Sequence, residues 1–296
     1  MSKTPKVLLV LFAILMVGCW AGACSSDPTG PILTTDASRN SASATTTVAT
    51  TAAQTTAAPV ETAPAVPTLP PNVSGKVELR TISTSFSYAY NSYLITSVDG
   101  ETAVVDPAQM PKLRKLALDP VLICSTHNHA DHNDDTFTDS FDCEKIISQS
   151  GDVTVGSFHV YTIPCAHNGD VILPAGGNEI IVFEVNGLRI AHMGDIGQTT
   201  LTEEQLEKLG EIDIAFMQFE NSFSSMNLDN LKGFTLIEQV NPKIIIPTHY
   251  TEDAVPVLEE HYGAITYYDD LFAIGAEDLP EETLNVVIIR NNYIFE

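Results

Sequence analysis

Thr126-His127-Asn128-His129-Ala130-Asp131-His132-Asn133 places three imidazoles and a carboxylate within six residues, directly after the apolar run Val121 to Cys124. As core this would be costly, because each ring needs a hydrogen-bond partner and charging the rings together is unfavourable. As a set of metal ligands it is economical. Side chains two apart on an extended segment point the same way, so His127 and His129 share a direction. A turn after them can aim Asp131 and His132 elsewhere. The spacing therefore offers one cation the first pair and a second cation the last two.

Outward from this motif, short apolar runs alternate with amphipathic stretches. Strands are predicted at Lys76 to Ile82, Ser92 to Ser97, Thr102 to Val105, Val121 to Cys124, Phe158 to Ile163, Glu179 to Val185, Leu188 to His192, Ile212 to Met217, Lys243 to Ile246 and Leu284 to Ile289. Helices are predicted at Pro111 to Leu118, Thr202 to Leu209, Leu228 to Val240 and Thr251 to His261, with Thr200 or Thr202, Asn227 and Thr251 as N-terminal caps. Asp99-Gly100 and Asn186-Gly187 read as hairpin turns. The domain is thus mixed α and β with a large sheet component.

The 296 residues are 44% hydrophobic and 18% charged, which excludes a wholly disordered chain and is too little charge for a coiled coil. The formal net charge is -24. Lys3, Lys6 and Arg39 offset Asp27, Asp36 and Glu61, so all of that charge lies beyond residue 72. Nucleic acid is repelled by such a surface and is set aside as a partner.

The first residues read as an export signal: Lys3 and Lys6 form the charged head, and Val7 to Val17 is an apolar run too short for a comfortable membrane span. Met16-Val17-Gly18-Cys19 and Ala21-Gly22-Ala23-Cys24 both resemble a bacterial lipoprotein box, in which the Cys becomes the lipidated N-terminus. An ordinary secretory signal or an uncleaved anchor helix are the alternatives. Residues 25–72 are dominated by Ser, Ala, Thr and Pro, a composition that cannot bury enough apolar surface to order itself. The expected organisation is a signal at 1–24, a tether at 25–72 and a folded domain at 73–296, exported and anchored to a membrane through lipid on Cys19 or Cys24.

The H-x-H-x-D-H pattern after a strand resembles the metallo-β-lactamase superfamily of metal-dependent hydrolases. Four further motifs follow the same order: Val104-Val105-Asp106-Pro107, Ile163-Pro164-Cys165-Ala166-His167, Met193-Gly194-Asp195 and Ile246-Pro247-Thr248-His249-Tyr250. The resemblance implies a four-layer αββα sandwich of two mixed sheets flanked by helices. It also implies that His127, His129 and His167 bind one metal, that Asp131, His132 and His249 bind another, and that Asp195 bridges them. Two divalent ions are implied, with zinc favoured and manganese or iron also suited to nitrogen and oxygen ligands. A hydroxide between them would attack an ester, lactone, amide or phosphoester of a small-molecule substrate, with Asp131 and Asp195 as the catalytic carboxylates. Asp106 would orient a His ligand from behind, and His192 would be structural or lie behind the ligands.

The stretch 179–249 is similar to the branch that contains the ascorbate phosphate lactonase. That branch carries a Gly-His pair before its second strand, where this chain has Ala89-Tyr90-Asn91-Ser92-Tyr93. No Arg other than Arg189 lies beside a motif, so no phosphate clamp is read. The loop from Phe219 to Asp229, with Asn221, Phe223, Met226 and Asn227, is a candidate substrate wall. His159 is expected on an exposed face and His261 at a helix C-terminus. Cys124, Cys143 and Cys165 are expected to pack rather than ligate, with at most one disulfide among them. A non-catalytic metal- or solute-binding lipoprotein that has kept the fold is the competing reading.

Overall fold

The computed structural model describes residues 69–83, 92–108, 118–173, 177–281 and 284–290. The export signal, Cys19, Cys24, nearly all of the tether and the helix read at Pro111 to Leu118 lie outside the described residues. The described chain runs β1 (Val77–Ser83), β2 (Ser92–Thr96), β3 (Thr102–Val105), β4 (Leu122–Ser125), α1 (Asp135–Thr138), β5 (Glu144–Ile147), β6 (Asp152–Val155) and β7 (Phe158–Cys165). It continues through β8 (Asn178–Val185), β9 (Leu188–His192), α2 (Glu203–Leu209), β10 (Ile214–Gln218), α3 (Lys232–Val240), β11 (Ile244–Thr248), α4 (Ala254–Tyr262), β12 (Ile265–Tyr268), β13 (Phe272–Ile274) and β14 (Asn285–Ile289).

The strands form two mixed sheets, one in the order β13-β1-β2-β3-β4-β5 and the other β12-β14-β11-β10-β9-β8-β7-β6. Alternation decides what each face buries. From the first sheet, Leu79, Tyr93, Val105 and Cys124 meet Phe158, Phe183, Ile190 and Phe216 of the second, so one apolar layer is sealed between the sheets. The other face of the second sheet, with Ile180, Val182, Ala191 and Met217, packs on Leu209 of α2, Phe234 and Ile237 of α3 and Leu258 of α4. Ile82, Leu94, Val104 and Ile123 of the first sheet pack on Phe137 of α1. The layers are therefore helix, sheet, sheet and helix. Each fully buried large side chain in them contributes about 1.5–3 kcal/mol relative to exposure.

Local chemistry sets the connections. Asn186 and Gly187 both have positive φ, 47° and 83°, the geometry of a two-residue turn whose twist matches the flanking strands β8 and β9. Thr202 caps α2 in a capping box with Gln205. Two cap expectations are corrected. Thr251 does not open α4, because its N–H and hydroxyl both donate to the Glu220 carboxylate, at 2.7 and 2.8 Å, and the helix starts after Asp253. Asn227 turns onto Asn230 instead, and with Leu231 at φ 55° the helix α3 begins only at Lys232.

The end of the residues assigned to the tether already lies against the fold. Leu69 packs beside the Ile82 and Leu94 layer, and the Asn72 amide donates to the Lys76 and Ser97 carbonyls at 2.7 and 2.8 Å. Among the described residues, no helix is long and apolar enough to cross a membrane.

Candidate metal centre

Strand direction brings the motifs together. β4 runs parallel to β3, β10 runs parallel to both β9 and β11, and β7 is parallel to β9 through the intervening antiparallel β8. Asp106, the His127 to His132 segment, His167, Asp195, Asn221 and His249 each follow the carboxyl end of one of these strands, the position where loops of α and β sheets build sites. The distances between them show that both sheets deliver to one edge.

Two clusters result. His127, His129, His167 and Asp195 offer ligand atoms within 4.8 Å of one another, as do Asp131, His132 and His249. In the first, His127 Nε2 is 3.0 Å from His129 Nδ1, and His127 and His167 Nε2 lie 3.7 and 3.4 Å from Asp195 Oδ2. In the second, His132 and His249 face each other through Nε2 at 3.2 Å, and Asp131 Oδ2 lies 3.8 Å from His132 Nε2. The other oxygen of Asp195, Oδ1, is 3.2 Å from both His132 and His249 Nε2. The Asp195 carboxylate thus turns one oxygen to each cluster. All seven residues read from the sequence as ligands are brought together.

A buried hydrogen-bond chain assigns the tautomers. Asp106, wholly buried, accepts from His132 Nδ1 at 2.7 Å and His192 Nε2 at 2.6 Å through Oδ2, and from the Thr126 N–H at 2.7 Å through Oδ1. The Thr126 hydroxyl also donates to Asp106, so its oxygen is left to accept from His127 Nδ1 at 3.0 Å. With their Nδ1 protons held this way, His127 and His132 direct bare Nε2 lone pairs into the clusters. Nitrogens facing each other at 3.0 and 3.2 Å need either a proton or a cation between them. His167 Nε2 and Asp195 Oδ1 are buried and make no hydrogen bond, which also fits a cation as their partner.

The electrostatics agree. Burial, assisted by His132, pushes the His127 pKa down to about 2, and burial lowers that of His249 to about 4, so both rings are neutral. Burial alone would raise the carboxyls, yet His249 and His132 hold Asp195 well below its ordinary range, and His132 and His192 do the same for Asp106. His132 is the exception, because Asp195 and Asp106 flank it and raise it despite its burial, so a cation at its Nε2 would have to displace a proton. Neutral imidazoles beside ionised carboxylates are the donor set a divalent cation requires.

Two residues of the site also carry strained backbone. Asp106 and His249 have φ of 47° and 42°, uncommon for residues with a Cβ. Gly194 has φ +54°, and a Cβ on it would come within 2.4 Å of Asn178 Oδ1 and 2.7 Å of Thr126 Cβ. Only glycine lets the chain turn here and present Asp195.

Asn178 and Asn221 support the centre in ways the motifs do not disclose. Asn178 accepts from the Asp195 N–H at 2.9 Å and donates to the Met193 carbonyl at 2.8 Å, which fixes the turn around Gly194. Asn221, buried in the candidate substrate wall, donates to Asp195 Oδ2 at 2.7 Å. A buried Asn at a strand end is the signal that could have pointed to both. Of the remaining residues, His192 lies behind the ligands on Asp106, as expected. His159 sits between Glu184 and Asp152 at 2.8 and 3.0 Å. His261 rests on the Phe234 ring, with centroids 4.4 Å apart. Cys124, Cys143 and Cys165 are free thiols, and neither cluster includes them. Cys165 accepts from Asn178, and burial raises its pKa to about 12.

Residues 86–249 match the family described as Beta-lactamase superfamily domain, which is more than half of the chain. The chain belongs to the metallo-β-lactamase superfamily. A Staphylococcus aureus relative named UPF0173 metal-dependent hydrolase is 34% identical to this superfamily member over 80 residues, 27% of the chain. The match spans about a third (33%) of the length of that curated relative. Among solved structures, a metallo-β-lactamase superfamily protein from Thermotoga maritima shares the fold with a TM-score of 0.52 at 19% identity, over 72% of this chain and 99% of that one. A metallo hydrolase from Ignicoccus hospitalis aligns with a TM-score of 0.46 at 17% identity, over 64% and 93% of the two chains.

Proposed function

We propose that the chain is a hydrolase that uses two divalent cations, most naturally zinc, one held by His127, His129 and His167 and the other by Asp131, His132 and His249. The observation that carries this reading is the Asp195 carboxylate, whose two oxygens turn to different His sets at 3.2 to 3.7 Å. When bound, such cations would lower the pKa of a water toward neutrality and stabilise the negative charge that develops on the substrate oxygen.

The chain's own residues do the rest. Asp106 holds His132 directly and His127 through Thr126, so one buried carboxylate orients a ligand in each cluster. Asn178 and Asn221 fix Asp195 from its backbone and its side chain. Asp131 is partly exposed at the wall of a cavity of about 420 Å³, where it can hold or pass a proton at its carboxylate oxygen. The reading includes a resemblance of 179–249 to the branch that contains the ascorbate phosphate lactonase, without transferring a sugar phosphate substrate.

Metal analysis of the purified protein tests the reading. The wild type should carry close to two ions, His127→Ala and His249→Ala should each lose about one, from different clusters, and His261→Ala should lose none. Full retention in both ligand variants would sink the assignment.

The domain is proposed to be displayed outside the cytoplasm on the 25–72 tether, which the lipoprotein-like boxes at Cys19 and Cys24 support. Replacing both cysteines should release the full chain from the membrane fraction. Persistent attachment would point to an uncleaved helix.

A further inference from the structure

The cavity at the candidate metal centre is lined by Asn128, His129, Ala130, Asp131, Asp195 and Phe223. Two features of this lining bear on what could occupy it. The first is the absence of cations: no Lys or Arg among the described residues lines the cavity. Lys232 donates its ammonium to the Gly197 carbonyl at 3.1 Å, and Arg189 is engaged by Glu184, Tyr161 and the Leu209 carbonyl. A phosphate group would find no guanidinium or ammonium at the cavity wall to clamp it, so the candidate cations alone would have to hold it, on a chain whose net charge is -24.

The second feature is Phe223, which is 67% exposed. A lone exposed aromatic on a loose loop would need no explanation. This one is held on a built segment. Its N–H donates to Asn221 Oδ1 at 3.0 Å and its carbonyl accepts from Asn168 at 3.1 Å. Asn221 and Met226 pair through both backbone groups at 2.9 and 2.8 Å, and Gln218 donates to Ser224 Oγ at 3.0 Å. A Cβ on Gly197 would fall 2.3 Å from the His167 carbonyl and 2.7 Å from that of Ser224, so only glycine allows this segment so close to a candidate ligand. A rigid backbone that presents an apolar ring to the cavity is the way a protein fixes a specificity contact.

We propose that the cavity takes an uncharged carboxylic ester or lactone carrying an apolar group, and that Phe223 is the wall against which that group lies. This rests on the hydrolase reading above. An ester is favoured over an amide because the ionisable groups lining the cavity, His129, Asp131 and Asp195, all belong to the candidate clusters. Proton transfer to the leaving group then falls to Asp131, and an alkoxide, the better leaving group, asks less of it than an amide nitrogen. In the reaction a water oxygen bonds to the acyl carbon and the C–O bond to the alkoxide breaks. One proton of that water goes to the alkoxide, and the acid formed releases the other to solvent.

The test uses the metal-loaded protein, its Phe223→Ala and Phe223→Leu variants, and two kinds of probe. With 4-nitrophenyl acetate, butyrate and octanoate, KM should fall as the acyl chain lengthens. Phe223→Ala should raise KM for the octanoate about tenfold and for the acetate far less, with metal content unchanged, and Phe223→Leu should restore most of the loss. A KM unaffected by Phe223→Ala would overturn the proposal. The second probe, 4-nitrophenyl butyl ether, has no bond to hydrolyse and reads binding alone by saturation-transfer NMR. It should bind the wild type, bind Phe223→Ala more weakly and resist displacement by 4-nitrophenyl phosphate. Tighter binding of the phosphate than of the ether would overturn the substrate class. Ether binding that depends on Phe223, with no ester cleaved, would support the apolar wall and overturn the hydrolase reading beneath it.

Discussion

Asp195→Ala is expected to leave the purified protein with about one firmly held cation in place of two, and to lower turnover of its best reporter by about 10²- to 10³-fold, the range for loss of one preorganised electrostatic group. The carboxylate is 2% exposed and turns an oxygen to each cluster, so nothing beside it can take over. Without it, two dications would face each other with no shared carboxylate between them. Asp195→Asn separates charge from shape, because the amide keeps the volume yet can offer only one oxygen. It should resemble Ala in metal content while retaining more thermal stability. Mass-spectrometric metal counts after gel filtration, taken with steady-state rates, check this. Two retained ions and a wild-type rate in both variants would remove the bridging role.

Asp106→Ala should be the most damaging single change to stability at this edge. Thr126 N–H, the Thr126 hydroxyl, His132 Nδ1 and His192 Nε2 all converge on this carboxylate, which is 0% exposed. Removing it strands these groups without water, at a cost of about 3–5 kcal/mol for breaking a buried pair. For a domain of this size that corresponds to a fall in Tm of roughly 6–20 °C. Asp106→Asn should melt closer to wild type but bind metal about 10- to 100-fold more weakly, because the His132 and His127 tautomers lose their anionic anchor. Thermal melts and metal titrations on both variants measure the two effects separately. A variant with wild-type affinity and Tm would mean that Thr126 and the flanking rings hold themselves.

The sequence discloses the centre unevenly, and for physical reasons. His127, His129, Asp131 and His132 stand close in the chain, and so many imidazoles together have few structural explanations. His167, Asp195 and His249 are each a single residue at a strand end, and only the order of the motifs connects them. The roles of Asn178 and Asn221 were hidden, because their partner, Asp195, is 17 and 26 residues away in the chain. The same limit explains the missed strands. β5, β6, β12 and β13 are only three or four residues long. β6 ends its sheet, with Asp152 and Thr154 exposed, so it lacks the apolar density that marks the central strands. The early starts read for α3 and α4 failed because Asn230 and Glu220 captured the groups that would have capped them.

The parentage of the two clusters has a mechanical meaning. In the first, His127 and His129 come from the sheet that contains β4, while His167 and Asp195 come from the sheet that contains β7 and β9. In the second, Asp131 and His132 come from the former and His249 from the latter. Either cation would therefore work as a rivet through both layers. Cys124, Cys143 and Cys165 are unpaired, so among the described residues no covalent cross-link does that work. The apolar layer between the sheets grips their interior, the Asp106 and His192 pair ties them at the open edge, and the ions would add to that tie. A protein built this way would carry its reactive centre and part of its fastening in the same few side chains, so loss of the ions would weaken both.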